Sequence, residues 1–164
     1  MLLYTDATTM PKTTSLIDKL ATDFPDFTFE QGADFMWSPT THTVFYTNTA
    51  NTPQLFHELA HGILDHTGFR RDIELLSMEV AAWKNAKEIA QRYGVVIDDA
   101  AAEDHLDTYR EWMHARSTCP NCEAVGVQSG ETTYSCVACQ HEWQVNDARH
   151  CGLKRYSLTH KTSP

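Results

Sequence analysis

Two cysteine pairs constrain this chain more than any other feature. Cys119-Pro120-Asn121-Cys122 and Cys136-Val137-Ala138-Cys139 are separated by thirteen residues. At this spacing each pair forms a knuckle whose two thiolates reach one cation, and two knuckles complete a closed tetrahedral site of four sulfurs. The pattern is a metal framework more than a disulfide one, which points to a reducing compartment. Residues 118–164 can bury little apolar surface alone, so metal binding is expected to supply most of that segment's stability. They carry four basic and four acidic side chains, whereas residues 1–117 carry nine basic and eighteen acidic ones. The formal charge of -9 therefore belongs to the first part. That part lacks the basic footprint that phosphate neutralisation requires, and any nucleic-acid contact falls to Arg149, Lys154 and Arg155. Cys151 beside His150 is left over and reads as a free thiol.

With 41% hydrophobic and 21% charged residues, the chain is expected to be globular. No run approaches the ~20 apolar residues that span a bilayer. The opening Met1-Leu2-Leu3-Tyr4-Thr5-Asp6 lacks the charged segment, apolar core and cleavage site of a secretory signal. A cytoplasmic protein is the expectation. The polar step at Ser117-Thr118 divides it into two domains, 1–117 and 118–164.

The first part reads as α+β. Ser15 to Asp23 is a short helix closed by Pro25, and Phe27-Thr28-Phe29-Glu30 alternates as a strand. Phe35–Trp37 and Thr43–Thr47 form a hairpin around Ser38-Pro39-Thr40-Thr41. Thr52-Pro53, a cap followed by Pro in the first turn, opens a helix reaching about His66. Asp72 to Tyr93 is a second helix ending at Gly94, and Asp98 to Arg116 a third. Tyr134-Ser135 and Glu142–Val145 are strand-like pieces around the cysteines.

The first of these main helices carries His57-Glu58-Leu59-Ala60-His61. On a helix, residues i and i+4 lie about 40° apart, so both imidazoles can reach one cation while Glu58 sits beside a metal-bound water. Leu55, Phe56, Leu59 and Ile63 occupy the opposite face as core. A catalytic zinc takes three protein ligands and an open position. His66 lies about 180° from His57 on an ideal wheel and reads as a surface or helix-end residue. Glu79 is the better third ligand. It sits in the centre of an apolar stripe made by Leu75, Ala82, Ala86, Ile89 and Trp83, where a carboxylate is costly unless it binds a metal or pairs with a base such as Arg. His105, Tyr109 and His114 are candidate donors to a developing oxyanion, and Asp65 a candidate to orient an imidazole.

His57-Glu58-Leu59-Ala60-His61 followed by Glu79-Val80-Ala81-Ala82-Trp83 resembles the small gluzincins of the ImmA/IrrE type over roughly residues 15–95. The resemblance implies a zincin-like fold with a small sheet and three main helices, a zinc metallopeptidase activity on protein substrates, and Thr43–Thr47 as the sheet edge along which substrate pairs. Zinc held by His57, His61 and Glu79 would activate a water for which Glu58 is the general base. The segment around Cys119, Cys122, Cys136 and Cys139, with Trp143 on the returning strand, resembles a zinc ribbon and implies a second, structural zinc. The ribbon is a candidate for protein or nucleic-acid contact. Two other functions fit the same residues: a non-proteolytic regulator on a zincin scaffold, and a SprT-like nucleic-acid-associated protease. The SprT pattern uses a third His, and none lies between His66 and His105.

Overall fold

The computed structural model describes residues 13–49, 51–149 and 151–158. Met1–Asp6 and His150 lie outside the described residues. The fold is α+β, in the order α1 (Thr13–Asp23), β1 (Thr28–Gln31), β2 (Met36–Ser38), β3 (Thr43–Tyr46), α2 (Thr52–Ile63), α3 (Asp72–Arg92), α4 (Asp99–Ser117), then β4 (Val127–Gln128), β5 (Thr133–Ser135), β6 (Glu142–Val145) and β7 (Arg155–Ser157). No described helix is long and apolar enough to cross a membrane.

The chain forms two compact units. One unit comprises the described residues up to His66 together with Asn85–Val95; the other comprises Thr67–Lys84 and the described residues from Val96. The four-cysteine segment thus belongs to the same unit as α4 and the first half of α3.

In the first unit the strand order is β1-β3-β2, with β1 parallel and β2 antiparallel to β3. The expected hairpin is present, pairing Trp37 with Val44. However, β3 is the central strand, paired on both sides, so Thr43–Thr47 is not the sheet edge that the resemblance implied. Its Thr43 and Val44 are buried, as a strand covered on both flanks requires. Helix α2 packs on β2 and β3. Asn51, not Thr52, caps it: the Asn51 side chain accepts from the Gln54 backbone N–H at 3.4 Å. Pro53 still lies in the first turn, where a missing N–H costs no helical bond. Leu55, Phe56 and Leu59 are buried as the amphipathic pattern predicts, but Ile63, expected on the same face, is 37% exposed at the helix end, and Ala60 is buried in addition. The helix stops at Ile63 because Asp65 takes a left-handed conformation, φ 52°, and turns the chain back. Tyr93 donates to Asp23 at 2.6 Å. Burial, reinforced by that carboxylate, pushes the phenol up to about 12.

In the second unit, Asp98 caps α4 through its side chain and the Ala100 N–H. The sheet order is β4-β5-β6-β7, all antiparallel. Its core is small: Cys119, Tyr134, Cys136, Trp143 and Val145. Tyr134 and Trp143 stack with centroids 5.6 Å apart. A Cβ on Gly126 would lie 2.3 Å from the Trp143 ring and 2.7 Å from the Ser135 carbonyl, so only glycine fits there.

Candidate metal centres

Helix α2 brings the expected pair together. His57 is 1% exposed and His61 8%, and their Nε2 atoms lie 3.1 Å apart. Two nitrogens bound to one tetrahedral zinc at about 2.05 Å are separated by about 3.3 Å, so the pair already stands at ligand spacing. Glu58 beside them is held at both oxygens. The Trp37 backbone N–H donates to Oε2 at 2.9 Å and the Gln54 side-chain amide to Oε1 at 2.8 Å. Each carboxylate oxygen has two lone pairs, so one acceptor position remains on each. The Trp37 amide comes from β2, an edge strand, which sets the sheet edge against the candidate base.

Gly62 lets β2 approach this helix. A Cβ there would meet the rings of Phe27 and Trp37 at 3.1 Å. Trp37 is further held by Phe27 edge-on, with centroids 5.4 Å apart, and by its indole N–H, which donates to the His66 carbonyl at 2.9 Å.

In the second unit, Glu79 is 5% exposed near the middle of α3, as its place in the apolar stripe predicts. Its carboxylate and a ring nitrogen of His105 on α4 lie within 4.8 Å of one another. The Trp83 indole N–H donates to Nδ1 of His105 at 3.0 Å. A neutral imidazole that accepts at Nδ1 carries its proton on Nε2. Nε2 of His105 is then a hydrogen-bond donor and not a ligand lone pair, which leaves Glu79 as the ligating member of the two. Tyr109 meets His105 edge to face with centroids 5.4 Å apart, and His114 is exposed.

The four cysteines converge as expected. Their sulfurs all lie within 4.8 Å, with Cys119 to Cys139 at 3.7 Å and Cys122 to Cys136 at 3.5 Å. Sulfurs about 2.3 Å from one tetrahedral zinc are separated by about 3.8 Å. The amide of Asn121, the backbone N–H of His141 and neighbouring groups lower the Cys139 thiol to about 6, favouring the thiolate that a metal requires. Trp143 covers this centre as the sequence predicts; it is fully buried, and its indole donates to the Arg116 carbonyl at 2.9 Å.

The sequence reading missed two residues. Trp37 reads as hairpin core, with no pattern tying its amide to Glu58. His66 reads as a surface or helix-end residue on a wheel that assumes an unbroken helix, and the left-handed Asp65 invalidates that wheel. Compared with protein-family models, curated proteins and solved structures, the chain matches none.

Proposed function

We propose that this chain is a zinc-dependent peptidase in which His57, His61 and Glu79 hold the catalytic metal and Cys119, Cys122, Cys136 and Cys139 hold a structural one. The observation that carries the reading is the His57–His61 Nε2 pair at 3.1 Å with the Glu58 carboxylate fixed beside it by two donors. The resemblance of His57–His61 and Glu79–Trp83 to ImmA/IrrE-type gluzincins agrees with it, as does the zincin-like fold that resemblance implies. When bound, zinc lowers the pKa of a coordinated water and polarises a carbonyl. Glu58 takes the proton from the attacking water and returns it to the leaving amine. The Trp37 N–H and Gln54 amide keep its carboxylate aimed, so little reorganisation accompanies the transfer. The Nε2–H of His105 serves as the donor to charge developing on the carbonyl oxygen. Substrate pairs along β2, whose Trp37 reaches Glu58, and not along the central β3.

The test uses the full chain loaded with zinc, digesting a mixed peptide library read by mass spectrometry. Wild type is expected to cleave, and Glu58→Gln to bind the same metal while cleaving slower by about two to four orders of magnitude. Equal cleavage by Glu58→Gln would remove Glu58 from the mechanism. No cleavage by a wild type holding two metals would favour a regulator on the same scaffold.

A further inference from the structure

Nδ1 of His66 lies 2.8 Å from Nδ1 of His61. The two rings stand at 65° with centroids 4.9 Å apart. The arrangement is built by the backbone: left-handed Asp65 reverses the chain, the His66 N–H donates to the His61 carbonyl at 2.9 Å, and the Trp37 indole fastens the His66 carbonyl from the other side. His66 is half-buried, whereas Asp65, the residue nominated to orient an imidazole, is exposed and makes the turn.

A contact of this length between two ring nitrogens needs a proton on one of them. If His66 donates, His61 accepts at Nδ1 and must carry its own proton on Nε2, which blocks metal binding. If His61 donates, its Nε2 bears a lone pair directed toward Nε2 of His57, the geometry a shared cation requires. We infer that His66 is a positioning residue for the metal centre, accepting the Nδ1–H of His61 and so fixing both the tautomer and the ring angle that present His61 Nε2 to zinc. The inference rests on the reading of His57 and His61 as ligands. Metal-bound imidazoles ordinarily give their second nitrogen to a carboxylate, carbonyl or water; here another imidazole fills that place.

The test measures zinc affinity by competition with a chromophoric chelator, on the full chain with its four-cysteine site filled. His66→Leu keeps bulk but removes the acceptor, and His66→Gln supplies a carbonyl that can accept from His61. His66→Leu is expected to weaken binding at the second site by about 10–100-fold, and His66→Gln to restore most of it. Cobalt substituted at that site is expected to show a changed visible spectrum in His66→Leu and a wild-type one in His66→Gln. A stably folded His66→Leu chain with wild-type affinity, or equal losses in both variants, would overturn the assignment while leaving the peptidase reading intact. A wild-type chain that binds one metal only would overturn both.

Discussion

Arg116 is in the last turn of α4, where a sequence reader places a solvated cation favouring the helix dipole. It is instead 3% exposed, and its Nε donates to Asp72 at 2.6 Å. Burial by itself would lower the guanidinium pKa, but Asp72 and Tyr134 together, through hydrogen bonds and charge, outweigh it and the group stays charged. Tyr134 also donates to Asp72, and Arg116 reaches the Asn146 carbonyl at 2.9 Å. A buried pair of this kind is costly to break because the surviving charge has no solvent. Arg116→Met is expected to lose about 3–5 kcal/mol in denaturant unfolding of the second unit. Arg116→Met combined with Asp72→Leu should recover much of that loss; additive losses would show that the two do not act as a pair. Nothing in spacing or periodicity joins positions 72 and 116. Their relation exists only once α3, α4 and the four-stranded sheet have packed.

Helix α2 shows how much of an element can be read in advance. Most of its buried face and its histidine pair follow from a 3.6-residue period with Pro near the start. Its cap shifted by one residue, from Thr52 to Asn51, and its end fell at Ile63 instead of His66. Caps depend on side-chain rotamers and helix ends on single left-handed residues, and a periodic pattern reports neither. Gly62 is the informative position. Replacing it with Ala gains about 1 kcal/mol of helix propensity but forces a methyl against Phe27 and Trp37, an overpacking cost of about 1–3 kcal/mol. Trp37 is fastened through its amide and its indole, so it has little room to yield. Packing therefore wins, and Gly62→Ala is expected to lower stability by about 1 kcal/mol on thermal unfolding. An increase would mean that β2 gives way.

At the scale of the whole molecule, the four-cysteine segment is hydrogen-bonded to α4 and to the start of α3. The Trp143 indole bonds the Arg116 carbonyl, Gln128 accepts the Asp72 N–H at 2.9 Å, and the Trp112 indole donates to the Ala148 carbonyl at 3.0 Å. Its metal is expected to hold together a unit that includes the start of α3. Cys136→Ser should lower the metal content from two to about one per chain and release hydrogen-exchange protection across β4–β7 and residues 72–76, with β1–β3 still protected. Retained protection over β5 and β6 would show that the small core of Tyr134, Trp143 and Val145 suffices without the metal.

By itself the sequence determined the local chemistry: two cysteine knuckles, two imidazoles one turn apart with a carboxylate between, and one acid on an apolar stripe. Each follows from fixed helical or knuckle geometry, so spacing along the chain is enough. Tertiary structure decided which strand is the edge, that Trp37 holds Glu58, that His66 turns back onto His61, that His105 accepts from Trp83, and that the four-stranded sheet locks onto Asp72 through Tyr134 and Arg116. These depend on contacts between residues 21 to 62 positions apart and on one left-handed backbone at Asp65, and no local period encodes them.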